Sequence, residues 1–146
     1  MKKHLLTAAL LFLVTAAAWA DSSPLGLWKS MDDATGKPKA LIRITEVDGA
    51  LSGKIEKLFR GPEEEQAPTC AKCTGELKDQ PVIGMVILSG LKKEDEGYSG
   101  GQIIDPANGK TYKSKLTVTE DGKKLNVRGY IGMPLLGRTQ IWVREE

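Results

Sequence analysis

Apolar and polar residues alternate with a period of two over much of the chain. Residues 110–120 (KTYKSKLTVTE) set Tyr112, Ser114, Leu116 and Val118 against Thr111, Lys113, Lys115, Thr117 and Thr119. Residues 123–131 (KKLNVRGYI) repeat the pattern, with Leu125, Val127, Gly129 and Ile131 against Lys124, Asn126, Arg128 and Tyr130. Successive side chains of a strand point to opposite faces, so such a run places one face on a core and the other in water. Further candidate strands are residues 26–30 (GLWKS), 39–47 (KALIRITEV), 50–59 (ALSGKIEKLF), 97–104 (GYSGGQII) and 138–144 (RTQIWVR). Residues 82–91 (VIGMVILSGL) form a continuous apolar run, read as a strand buried on both sides rather than a helix because of Gly84 and the β-branched residues.

Turn signals punctuate these runs. Asp48-Gly49 joins the second and third as a hairpin, and DPANG and EDG separate later ones. Residues 60–80, rich in Pro, Glu, Gly and Lys, form a long loop, and residues 132–137 (GMPLLG) a short apolar one. The result is eight strands, mostly with hairpin-length connections and no amphipathic helix. A meander of that length removes its exposed edges by closing on itself. The expectation is an all-β, antiparallel, up-and-down eight-stranded barrel, with a β-sandwich as the alternative.

The first twenty residues stand apart. Lys2-Lys3 precedes an apolar run from Leu5 to Ala18, and Ala18-Trp19-Ala20 supplies a small-x-small end. This is the pattern of a secretory signal cleaved after Ala20, and the run is too short for a membrane span. The expected organisation is a signal peptide at 1–20 and one domain at 21–146, periplasmic or secreted. Removal takes two of the 21 Lys and Arg residues and leaves 19 against 19 Asp plus Glu, so the basic balance belongs to the leader. A neutral domain has no large net field for nucleic acid or an anionic membrane, although a local patch stays open. Removal also takes His4, the only histidine. That excludes a Ser-His-Asp triad, a Cys-His pair and the common His-bearing zinc sites, and favours a protein that is not an enzyme, although Asp, Glu, Lys or Tyr chemistry stays open.

Two short motifs sharpen the architecture. Gly26-Leu27-Trp28 resembles the G-x-W that opens the first strand of lipocalin-like barrels, which implies a tryptophan plugging one end under a basic residue of the last strand. Arg138 is the first candidate for that residue and Arg144 the second. As a whole, GLWKS, the C-x-x-C with KDQPVIGMVIL after it, GGQIIDPANGKTYKSKLTV and NVRGYIGMPLLGRTQIWVR resemble the exported bacterial family known as domain of unknown function 2147. The resemblance implies a lipocalin-like barrel in the envelope and no established activity.

Cys70 and Cys73 are the only cysteines. A thioredoxin-like site needs a helix starting at the first cysteine, and Gly75 and Pro81 leave little room for one. A metal site needs further soft or nitrogen ligands, which the chain does not offer in any telling spacing. An exported chain favours the remaining reading, a local Cys70–Cys73 disulfide that tidies the long loop. No metal or cofactor is expected.

Candidate ligand contacts are Trp28, Arg128, Tyr130, Met133, Leu135, Arg138 and Trp142. For Trp28, core packing competes with ligand contact and is favoured. Arg128, Tyr130, Arg138, Gln140, Trp142 and Arg144 share a face if the last two strands are regular; turned inward it would be an aromatic and cationic pocket. The apolar opposite face, with Leu125, Val127, Ile141 and Val143, favours turning it outward. The loop 132–137 is either a binding element at a barrel mouth or a lid packed over it. The functional expectation is a binding protein for a small apolar or amphipathic ligand, the alternative an envelope interaction module with a filled barrel and a protein partner. Small residues inside, with Gly84, Gly100 and Gly129 as candidates, would favour the first.

Overall fold

The computed structural model describes residues 22–146, so the expected signal peptide lies outside the described residues. The strands are β1 (Gly26–Met31), β2 (Pro38–Val47), β3 (Ala50–Leu58), β4 (Val86–Glu94), β5 (Gly97–Asp105), β6 (Lys110–Thr119), β7 (Lys124–Tyr130) and β8 (Arg138–Arg144). Each pairs with its sequence neighbours, and β1 pairs with β8 through Trp28↔Arg144, Lys29↔Val143 and Ser30↔Trp142, which closes the barrel. Backbone bonds from Leu27 N to Glu146 O (3.2 Å) and from Glu145 N to Leu27 O (2.8 Å) extend that seam. The expected barrel is what the chain forms, and the sandwich alternative falls away.

The alternation seen in the sequence is the wall of this barrel. Ser114, Leu116, Leu125 and Val127 are buried inside, while Lys113, Thr117 and Lys92 are exposed outside. Apolar residues fill the interior and charged ones cover the exterior, the reverse of a barrel that spans a bilayer. Among the described residues no helix is long and apolar enough to cross a membrane.

The run at 82–91 departs from expectation. The strand begins only at Val86 and continues to Glu94, and it is buried on one face rather than two, with Val86, Lys92 and Lys93 exposed. The run reads as continuously apolar because its first part is a turn whose Val82 and Met85 pack on the core. Leu88 and Leu91 are both completely buried despite their odd spacing, because Gly90, at φ 72°, breaks the alternation between them.

The connection over residues 59–85 is folded back on itself. Cys70 N donates to Gln80 O (2.8 Å), Asp79 N to Cys70 O (2.9 Å) and Val82 N to Pro68 O (3.0 Å). Cys70 and Cys73 form a disulfide, as the compartment reasoning expected, and both are buried. Only a 3-10 turn, Gly75–Leu77, follows, so the helix N-terminus that activates a redox cysteine is not built here. The stapled loop packs on the β5–β6 turn: Gly109, at φ 72°, lies so close to Lys72 that a Cβ would sit 1.9 Å from its carbonyl oxygen.

Candidate functional site: a cavity open at one end

One end of the barrel is sealed. Trp28 is completely buried and its Nε1 donates to Pro24 O (2.8 Å), while the Arg144 guanidinium lies 4.2 Å from the ring centroid. Arg144 also donates to the carbonyls of Leu25 (2.9 Å), Ser23 and Gly122, binding the N-terminal segment and the β6–β7 turn across the same end. The basic partner of the tryptophan is therefore Arg144, not Arg138. The reason is register: Arg144 is directly opposite Trp28 across the closing seam, whereas Arg138 pairs with Gly129 at the other end of β8. Above this plug, Ile44, Leu51, Leu91, Leu116 and Leu125 fill the lower barrel.

The other end is open onto a cavity of about 1190 Å³. Ile42, Ile55, Ile87, Ile103, Val127 and Trp142 form its apolar wall. Three polar groups interrupt that wall. Trp142 Nε1 donates to Gln140 Oε1 (3.3 Å), Tyr112 Oη accepts from Asn108 Nδ2 (3.0 Å), and Ser30 Oγ reaches Ala40 O at 3.5 Å. Ser114 lies on the inward face between Gly101 and Gly129, and its buried Oγ has no hydrogen-bond partner among the described residues.

The rim carries both signs of charge, unequally engaged. Asp32 accepts from Thr35 N (2.8 Å) and Oγ1 (3.1 Å) and from Ala34 N (3.0 Å), and these bonds, Thr35's first, hold its carboxyl below the usual carboxylate range. Glu64 accepts from Gly61 N (2.6 Å) and faces Arg60 (3.7 Å), and Asp105 accepts from Ala107 N (2.9 Å). Arg138 meets Asp33 at 3.5 Å. Lys37 and Lys39 line the same rim and form no ion pair among the described residues. The rim acids are thus already held by their own turns, and its lysines are available.

Of the expected contacts, Arg138 and Trp142 line this cavity and Trp28 plugs the opposite end. The structure does not bring Arg128, Tyr130, Met133 and Leu135 to the cavity wall. The shared face inferred for β7 and β8 does not exist, because the register pairs Leu125↔Trp142, Val127↔Gln140 and Gly129↔Arg138. Leu125, Val127 and Gly129 thus face inward together with Trp142, Gln140 and Arg138, and Arg128 faces outward beside Thr139 and the exposed Ile141. Met133 and Leu135 stay exposed, so the loop 132–137 is not packed as a lid. Of the three glycines expected inside, only Gly129 borders the cavity; Gly84 and Gly100 are exposed. Val127 and Tyr112 were within reach of the sequence, since each occupies an inward position of an alternating strand. Gln140 and Ile87 were not, because the phase of β8 and the irregular β4 set them.

A family model described as an uncharacterized protein conserved in bacteria, DUF2147, matches residues 26–144. The chain belongs to this family. The match begins at the first strand and ends at the last, so the family unit is the barrel. Among solved structures, this DUF2147 barrel resembles one titled "Protein HP1028 from the human pathogen Helicobacter pylori belongs to the lipocalin family", with a TM-score of 0.72 and 20% identity over 86% of this chain and 85% of that one. At that identity the likeness establishes the fold, a lipocalin-like barrel. No curated protein matches the chain in sequence.

Proposed function

We propose that this DUF2147 barrel is a non-enzymatic carrier, exported to the periplasm or secreted after cleavage at Ala20, that holds a small apolar or amphipathic ligand in its open cavity. The observation that carries this reading is the cavity of about 1190 Å³ above a sealed plug. Small-molecule sites commonly measure about 300–1,000 Å³ and pair apolar walls with few polar groups. The ligand's apolar body would lie against Trp142, Val127 and the isoleucines, with a polar or anionic head at the rim beside Lys37, Lys39 and Arg138. A filled barrel serving only as an interaction module is the weaker reading, because its interior would leave no such space. Absence of histidine after His4 and a rim carboxyl, Asp32, held on the ionised side both speak against general acid–base chemistry.

The test is native mass spectrometry of protein recovered from its own periplasm or medium, followed by titration with anilinonaphthalene sulfonate, an anionic amphiphile. A retained small-molecule mass, or saturable dye fluorescence that Gly129→Leu weakens at least about tenfold, is the expected result. A bare mass together with no saturable dye binding overturns the reading. The N-terminal residue in the same spectrum checks the cleavage site.

A further inference from the structure

The connection between β7 and β8 is unlike any other in the barrel. Residues 131–137 (IGMPLLG) contain no polar side chain, and Ile131, Met133, Leu135 and Leu136 are each 63 to 82% exposed. The loop rises at the open end, since Gly129 just before it and Arg138 just after it border the cavity. Part of its backbone is already paired: Arg128 Nε donates to Pro134 O (2.7 Å) and Arg128 Nη2 to Leu135 O (3.3 Å). Leu136 N donates to Met133 O (3.1 Å) and Gly137 N to Pro134 O (3.2 Å). Proline at the turn removes one further donor.

Toward the loop, β6, β7 and β8 carry Lys110, Lys113, Lys115, Arg128 and Arg138 and no Asp or Glu, while Lys124 and Arg144 belong to the sealed end. Lys113 and Lys115 lie on the outer wall opposite Tyr130 and Arg128. Glu120 and Asp121 belong to the β6–β7 turn at the sealed end; at the open rim Asp33 is held by Arg138, and Asp32, Glu64 and Asp105 by their own turns.

From these observations we infer that the loop inserts peripherally into an anionic phospholipid surface, bringing the cavity mouth against the membrane. Apolar side chains over a cationic flank are the pattern of interfacial insertion, and backbone carbonyls entering a low-dielectric layer must bring their donors with them, as Arg128 provides. A protein partner fits less well. The exposed side chains of the loop are purely aliphatic and methionine, without the Tyr, Trp or Arg anchors that centre protein interfaces. This inference stands whether or not the cavity carries a ligand.

The test is sedimentation of residues 21–146, which contain every strand of the closed barrel, with sucrose-loaded vesicles. One set is phosphatidylcholine and the other an equimolar mixture with phosphatidylglycerol. Expected is binding to the anionic set only, weakened by salt. Leu135→Ser/Leu136→Ser should lower it at least about tenfold, since two exposed leucines no longer transfer. Lys113→Glu/Lys115→Glu should also lower it at least about tenfold. Unchanged circular dichroism of the buried tryptophans keeps both variants interpretable. No sedimentation with anionic vesicles, equal binding to both sets, or binding that survives the leucine substitutions overturns the inference. So does a leucine variant whose change is loss of a dimer in analytical ultracentrifugation, which would make the loop an interface between copies.

Discussion

Replacing Arg144 with alanine removes the clasp at the sealed end, and the consequence can be worked from the contacts. The guanidinium lies 4.2 Å from the centroid of a completely buried indole and donates to three backbone carbonyls, of Leu25, Ser23 and Gly122. A partly desolvated cation–π contact contributes about 1 kcal/mol. The three charged hydrogen bonds add about 2 kcal/mol in all, less than their nominal sum because water can reach the vacated carbonyls of the N-terminal segment. The expected loss is thus about 3 kcal/mol, out of a total stability of roughly 5–15 kcal/mol. For a domain of this size that lowers Tm by about 10 °C. Arg144→Lys should recover little, because a lysine cannot stack as a plane and serve three carbonyls at once. Arg138→Ala is the control: its pair with Asp33 is 3.5 Å long on a side chain 69% exposed, so its loss should cost less than about 1 kcal/mol. Thermal and urea unfolding followed by tryptophan fluorescence give both numbers. An Arg144→Ala protein within 1 kcal/mol of the parent, or an Arg138→Ala protein that is the less stable of the two, would refute the assignment of the clasp.

Other outcomes follow from the same geometry. A Cβ at Gly129 would make ordinary contacts, 3.5 Å from Ile103 and 3.6 Å from Tyr112, so Gly129→Leu should fold, fill the cavity and weaken dye binding at least about tenfold in a fluorescence titration. Gly109→Ala meets the Lys72 carbonyl and adopts a left-handed conformation, so it should cost at least about 2 kcal/mol and expose the 59–85 loop to limited trypsin digestion. Replacing Cys70 and Cys73 together with serine should cost on the order of 2 kcal/mol, the value for a very short ring, and raise amide exchange in that loop while β1 to β8 stay protected. Hydrogen bonds to the ionised Asp32 depress its pKa, so they stabilise the β1–β2 turn above the unfolded value of 3.8 and are lost as pH falls through the lower folded value. A carboxyl shift of Asp32 followed by NMR should therefore titrate below 3.8, and a midpoint above it would contradict the bonding described.

Much of the wall was legible because period-two alternation and Asp-Gly turns are local properties. Tyr112 to Val118 and Leu125 to Gly129 needed nothing beyond their own spacing to be assigned an inner face. Cys70–Cys73 was legible for a similar reason, since the pair lies within one short turn of a polar loop. Gly90 was harder: a single left-handed glycine re-phases β4 so that Leu88 and Leu91 share the interior, and an apolar run carries no mark of such a break. The apolar loop 131–137 could be found by composition alone. Its exposure, and the use of Arg128 to satisfy its carbonyls, required coordinates.

By itself, then, the sequence determined most of the strands, their order and the hairpins, because each follows from side-chain alternation or from turn chemistry over a few residues. Closure stood beside a sandwich alternative until β1 was seen to pair with β8. Tertiary structure alone decided how β7 and β8 are phased, which arginine covers Trp28, and which end of the barrel is open. In an antiparallel pair a slip of one residue exchanges the two faces of a strand. The loop before β8 does not fix that slip; burying Trp142 inside and pairing Trp28 with Arg144 across the seam does.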